Sequence, residues 1–428
     1  MGSSGQQQTT NAIELGMLAP PASARGTWPV AAALRGLAAR LLDGVNCGSL
    51  ELYLPDGTRL GAHGAQPGPA ATLVLQRWRA LVRLALGGDR GFAGAYLDGD
   101  WNTPDLSALL EFGARNEAGA RGSLDACWPL KLLSRLEHAR RANTRRGSRR
   151  NIAFHYDLGN DFYRQWLDPE LIYSSAIYAP DASTLEQAQS AKIRRVMELM
   201  QLDAAPRATR VLEIGCGWGA LACALARERT LHVTGLSLST EQLAHARARA
   251  EREGLQQRLD LRLQDYRDAG GQYERIVSIE MIEAVGERYW PDYFNALRAR
   301  LAPGGRAVIQ AITIDEAHFE HYRANPDFIQ RHIFPGGMLP TVTALRREAA
   351  RAGLSLVHGE TFGPSYAATL AEWRRRFHQN WPAIAALGYD TRFRRMWEYY
   401  LCYCEAGFRS GRVDVGLYAF VPDAARAC

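Results

Sequence analysis

At residues 211–219, VLEIGCGWG, a carboxylate (Glu213) stands two positions ahead of glycines at alternate places, Gly215, Gly217 and Gly219. An apolar strand that runs into such glycines and then into a helix offers a ligand bare backbone and the partial positive charge of a helix N-terminus. The spacing fails the dinucleotide pattern, because the last glycine of G-x-G-x-x-G would fall on Ala220. A second carboxylate, Glu283, follows the strand-like run 275–280. It therefore lies at the carboxyl end of a central strand, where open α/β sheets bind their ligands. By contrast Cys402 and Cys404, the only close cysteine pair, have neither a second pair nor a nearby histidine, and no metal site is expected.

The elements that must position these residues alternate along the second half of the chain. Strand patterns at 210–214, 232–236, 259–263, 275–280 and 306–313 are separated by helix patterns at 220–229, 240–253 and 289–301. That rhythm predicts an α/β fold, a parallel doubly wound sheet with helices on both faces. A Trp- and Arg-rich helical stretch and a closing strand, 413–420, complete it. Residues 28–130 read as a small mixed, mainly helical domain. They contain a helix at 31–42, a strand pair at 49–60 turning on Pro-Asp-Gly, and amphipathic helices at 71–86 and 106–112. Residues 1–27 read as a disordered lead-in, and 151–428 as the catalytic domain.

Between these domains, residues 131–150 hold eight Lys/Arg against one acid, in a chain whose net charge is +6. The remainder is close to neutral, so the basic bias belongs to one linker. Such a block is either a solvated spacer or a contact for a polyanion, a membrane surface or nucleic acid. No apolar run reaches the ~18 residues of a membrane span. The N-terminus lacks the basic and apolar regions of a signal peptide. Seven scattered cysteines fit a reducing cytoplasm better than a disulfide framework.

The G-x-G-x-G spacing with its upstream Glu213 resembles the first motif of S-adenosylmethionine-dependent methyltransferases. The resemblance implies that Glu213 serves the amino-acid end of the ligand and that the glycines border its nucleoside. On the same frame, Ser237, Leu238 and Gln242 in GLSLSTEQ would lie by the ribose, and Gln264, Asp265 and Tyr266 by the adenine. More narrowly, the chain resembles the cyclopropane-fatty-acyl-phospholipid synthases, relatives of the mycolic acid cyclopropane synthases. NIAFHYDLGNDFY (151–163), Tyr173-Ser174, VLEIGCGWG, QDYRD (264–268), Glu283 in SIEMIEAVG, IFPGGMLP (333–340), FGPSYAATL (362–370) and YYLCYCEAGF (399–408) carry it. It is strong over roughly 151–420, and looser over the N-terminal domain, which it implies binds lipid.

That resemblance implies methyl transfer from S-adenosylmethionine to the cis double bond of an unsaturated phospholipid acyl chain, with Tyr173 and Ser174 among the cofactor contacts. The carbocation so formed must be shielded from water and can be stabilised by aromatic faces. Candidate rings are Tyr156, Phe162, Tyr163, Trp166, Tyr173, Tyr178, Tyr366, Trp373 and Phe377. The family's base is a bicarbonate ion held by Cys, Glu, His, an Ile amide and Tyr. Here Glu283, Ile312 and Tyr366 match, whereas Ser175 replaces the Cys, Gln310 the His, and Ala284 a further His beside the Glu. Ser and Gln can still bind an anion. A site that loses a different proton would yield a methylene- or methyl-branched chain instead of a cyclopropane.

Three rivals remain at this point. A nucleic-acid methyltransferase would carry Asn/Asp-Pro-Pro-aromatic where this chain has Ser278-Ile279-Glu280-Met281-Ile282, so no nucleic-acid partner is expected. A small-molecule methyltransferase would need neither the N-terminal domain nor the basic linker. A lipid carrier would not need the glycine loop or Glu283. The expected partner is unsaturated phospholipid in an anionic membrane surface, docked through the basic linker from the cytoplasmic side. The resemblance also implies a homodimer.

Overall fold

The computed structural model describes residues 31–117, 158–178, 180, 182–205, 209–228 and 231–423. The lead-in, the basic linker, Tyr156 and the first half of the HYDLGN run lie outside the described residues. Contacts divide the chain into two units, residues 1–136 with 389–410, and 137–388 with 411–428.

The first unit holds a four-stranded sheet, β1 (Cys47–Tyr53), β2 (Arg59–His63), β3 (Gln66–Leu75) and β4 (Trp101–Asn102), in the order β2-β1-β3-β4. With it are α1 (Ala31–Asp43), α2 (Arg79–Leu97) and α3 (Leu106–Arg115). The hairpin on Pro55-Asp56-Gly57 forms as expected, with Gly57 at φ +89°. The helix expected at 71–86 does not form over its first half: 71–75 belongs to β3, parallel to β1, and helix begins only at Arg79. Arginines recurring within that window imitate a helical face, but Ala71, Leu73, Val74 and Leu75 are buried in the sheet. A second difference concerns the helix Thr391–Arg409, expected in the catalytic domain but grouped with the first unit. Its Arg395 donates to the Tyr96 and Trp101 carbonyls at 2.6 and 2.9 Å, and buried Glu405 accepts from Ser107 Oγ at 2.7 Å.

The second unit holds the short helix α4 (Asn160–Tyr163) and is built on β5 (Thr209–Ile214), β6 (Leu231–Ser237), β7 (Leu259–Leu263), β8 (Tyr273–Ile279), β9 (Leu301–Ile314), β10 (Leu354–Thr361) and β11 (Val413–Pro422). They form one sheet in the order β10-β11-β9-β8-β5-β6-β7. Strands β5 to β9 pair in parallel, whereas β11 is antiparallel to both β9 and β10. The sheet is thus mixed, not wholly parallel. Val413 pairs with Ile314, so the chain re-enters at the end where β9 leaves, and β11 must run backwards.

Alternation along each strand sends neighbouring side chains to opposite faces. Val211, Val233, Val277 and Val308 pack under α5 (Leu185–Leu199), α6 (Ala220–Arg227) and α7 (Thr240–Arg252). Leu212, Leu236, Ile276 and Ile309 pack under α8 (Trp290–Arg300) and α9 (Val342–Arg351). Since β6 lies on one side of β5 and β8 on the other, the strand order reverses there. A crevice for ligand follows at their carboxyl ends.

Candidate active site

The glycine loop leaves β5 at this reversal. Gly215, Gly217 and Gly219 have φ of +85°, +52° and +87°, a region costly for residues bearing a Cβ. A Cβ at Gly219 would lie 2.8 Å from the Ala246 Cβ, so this glycine brings α6 against α7; one at Gly217 would meet nothing within 4 Å, leaving its backbone open to a ligand. The Gly215 and Cys216 amides both donate to the Leu236 carbonyl, pinning the loop to β6. Trp218 Nε1 donates to Asn160 Oδ1 at 2.7 Å, which joins the glycine loop to the end of the HYDLGN segment.

Glu213 is buried, and its Oε2 has no hydrogen-bond partner. Burial pushes its carboxyl up to about 8, opposed by the charge of Lys192. Lys192, on α5, is itself buried and donates to Ser174 Oγ at 2.7 Å. Burial lowers its pKa to about 8, opposed by the carboxylates of Glu280, Asp168 and Glu213. An orphaned buried carboxylate oxygen beside an open glycine backbone fits the ammonium and nucleoside of S-adenosylmethionine. Ser237 Oγ donates to Gln242 Oε1 at 3.0 Å, and Leu238 is half-buried beside them. Asp265 is held by Arg267 at 2.6 Å, Tyr266 packs edge-on to Tyr293, and Gln264 turns back to the Asp268 carbonyl.

Beyond the loop, the rings of Tyr163, Trp166, Tyr173 and Trp373 meet at centroid distances of 5.4 to 5.6 Å. Trp218 joins them at 5.1 Å from Tyr163, and Tyr366 at 6.1 Å from Trp373. One aromatic wall therefore runs from the cofactor loop to Tyr366, on α10 (Gly363–Gln379).

At its far end, three of the residues assigned to an anion converge on a side chain that the sequence reading passed over, Glu280. Its Oε1 accepts from the Ser175 amide at 2.8 Å and Gln310 Nε2 at 2.7 Å, and its Oε2 accepts from the Tyr366 hydroxyl at 2.7 Å. Ser175 contributes its backbone, not its side chain: the hydroxyl turns away to the Ala176 carbonyl at 2.9 Å. Ile312 serves another partner, its amide donating to Glu283 Oε1 at 2.5 Å. Glu283 Oε2 is buried without a partner. Burial first, and the Glu280 charge second, push Glu283 up to about 8. Burial also raises Glu280, but its three donors oppose that shift. Glu283 has no donor on its second oxygen, whereas the donors that favour the ionised form are gathered on Glu280. Glu280 has φ +47°, one of three positive values at non-glycine positions among the described residues. Holding a glutamate there costs about 1–3 kcal/mol. The signal available in the sequence was the pair of glutamates three apart where β8 ends.

The seven-stranded sheet, the glycine loop at its reversal and the buried acid behind the loop define a class I S-adenosylmethionine-dependent methyltransferase fold. A sequence model described as mycolic acid cyclopropane synthetase matches residues 143–417, and the chain belongs to that family. The tuberculostearic acid methyltransferase UfaA1 of Mycobacterium tuberculosis is 40% identical over 403 residues, 90% of this chain and 91% of that one. The cyclopropane-fatty-acyl-phospholipid synthase of Escherichia coli is 35% identical over 339 residues, 78% of this chain and 83% of that one. Among solved structures, mycolic acid cyclopropane synthase CmaA1 complexed with SAH and CTAB superposes with a TM-score of 0.59 at 28% identity. It covers 64% of this chain and 97% of its own. The cyclopropane synthase MmaA2 of Mycobacterium tuberculosis gives 0.58, with the same identity and coverage. The protein is a methyltransferase that acts on lipid acyl chains. Among the described residues no helix is long and apolar enough to cross a membrane.

Proposed function

We propose that this enzyme methylates the cis double bond of an unsaturated phospholipid acyl chain. The observation that carries the reading is the aromatic wall linking the glycine loop to Tyr366. S-Adenosylmethionine, when bound, supplies an electrophilic methyl group. The chain's own residues do the rest: Glu213 and the glycine backbone orient the donor, while Tyr163, Trp166, Tyr173 and Trp373 exclude water and face the cation left on the lipid. A desolvated ring contributes up to about 2 kcal/mol to such a cation. Ring closure gives the cyclopropane product that the family resemblance implies. A second reading, a methylene- or methyl-branched chain, is favoured by the altered anion site, in which Gln310 and the Ser175 amide point at Glu280. The basic linker 131–150 supports docking on anionic bilayer, at about 1 kcal/mol per basic residue near the surface.

The test is mass spectrometry of acyl chains after incubation with S-adenosylmethionine and vesicles of mono-unsaturated phosphatidylglycerol. A gain of one CH₂, resolved by gas chromatography against cyclopropane and branched standards, is expected. Unchanged acyl chains would overturn the substrate class. Co-sedimentation should require anionic lipid and fall with salt.

A further inference from the structure

Glu280 is held in a way its packing alone does not require. Its backbone is in the left-handed region, where a glycine would sit without strain, and its amide is already paired with the Gln310 carbonyl at 2.9 Å. Three donors from three separate segments, the Ser175 amide, Gln310 Nε2 and the Tyr366 hydroxyl, all point at its two carboxylate oxygens. A set of donors with no acceptor of its own binds an anion, and here the anion is covalently part of the chain. The nearby Glu283 has one oxygen with no donor at all, whereas all three donors, which favour an ionised carboxylate, are gathered on Glu280. Tyr366 in turn belongs to the aromatic wall, which places this carboxylate beside the surface assigned to the lipid cation.

We propose that the Glu280 carboxylate is the proton acceptor of this enzyme, standing where the family resemblance expects a diffusible bicarbonate ion. The proposal rests on the alkene-methylation reading above. In that reaction the π pair of the double bond forms the new C–C bond to the methyl carbon, and the sulfur leaves with the S–CH₃ bonding pair as a neutral thioether. The neighbouring carbon becomes cationic. Glu280 then takes one proton, and the electron pair of that C–H bond closes either a cyclopropane or a new C=C bond. The neutral carboxylic acid returns its proton to solvent between turnovers.

The experiment compares wild type, Glu280→Gln and Glu280→Gly in CO₂-free buffer, with and without added bicarbonate. Methyl transfer to vesicle phospholipid and S-adenosylmethionine affinity are measured for each. Wild-type turnover should be indifferent to bicarbonate. Glu280→Gln, which keeps an acceptor for the donors but cannot take a proton, should lose about 10²–10⁴ in turnover with affinity for S-adenosylmethionine preserved. Glu280→Gly, relaxed at this backbone angle and with its donors freed, should be slow without bicarbonate and regain at least about tenfold with it, as far as a free anion can replace a fixed base. A wild type that needs bicarbonate, or a Gln variant at wild-type rate, overturns the proposal. A readout independent of lipid is the line broadening of ¹³C-bicarbonate by each protein. Broadening by Glu280→Gly and not by wild type supports the assignment, and any other pattern overturns it. If wild type methylates no phospholipid, the substrate reading fails and the bicarbonate comparison still decides the role of Glu280.

Discussion

The paired carboxyls make a quantitative claim about stability. Glu283 is half-buried as a residue, but its carboxyl is shielded from water, with one oxygen bonded to the Ile312 amide and the other bonded to nothing. Its pKa is about 8 in the folded protein against an ordinary 4.5. Below the lower value both folded and unfolded chains hold the proton, and the site imposes no ionic penalty. As pH rises, the unfolded chain releases the proton while the folded chain retains it, so stability is lost progressively until the folded group also ionises near pH 8. At ~1.4 kcal/mol per pH unit, roughly three units of such difference amount to about 4 kcal/mol. Glu283→Gln keeps the acceptor for the Ile312 amide and cannot ionise. Its stability relative to wild type should therefore rise by about 4 kcal/mol between pH 5 and pH 8, measured by urea unfolding at several pH values. A difference that stays constant within about 1 kcal/mol across that range would refute the assignment of Glu283 as the neutral member of the pair.

Other predictions probe the cofactor loop and the first unit. Gly219→Ala places a Cβ 2.8 Å from the Ala246 Cβ at φ +87° and should destabilise the fold by about 2 kcal/mol or more, seen in thermal unfolding. Gly217→Ala meets no neighbour and should act chiefly on ligand, weakening S-adenosylmethionine about tenfold by calorimetry at a stability cost of ~1 kcal/mol. Glu213→Gln should weaken the same ligand about 10- to 100-fold, the worth of the charge-assisted hydrogen bond formed once the ligand's ammonium draws Glu213 into its ionised form; an unchanged affinity would remove Glu213 from the site. Ser107→Ala deprives buried Glu405 of a 2.7 Å donor and should cost about 2 kcal/mol in urea unfolding while leaving cofactor affinity alone.

Local chemistry was what the sequence could state by itself. The glycine loop, its upstream carboxylate and the strand–helix rhythm are properties of contiguous residues, since backbone torsion and side-chain alternation act over a few positions. Glu213 accordingly lies in β5, and Gly215, Gly217 and Gly219 form the turn that leads from it into α6. The same locality misled at 71–86, where the partner that makes 71–75 a strand is β1, and at Thr391–Arg409, whose apolar face does not declare which unit it covers.

Glu280 and Lys192 were decided by tertiary structure alone. The donors to Glu280 come from positions 30, 86 and 105 residues away, and no window of sequence contains them. In the sequence Glu280 is one more acid at a strand end, and Ser175 offers a hydroxyl that the fold turns away. Lys192 reads as a solvated helical lysine until α5 packs it among Asp168, Glu213 and Glu280. Sequence specifies which groups exist and the local geometry of the loop that bears them. Only the packing of β8, β9 and α10 settles which groups face one another out of water, and so which of two neighbouring glutamates gathers three donors and which keeps an oxygen unpartnered.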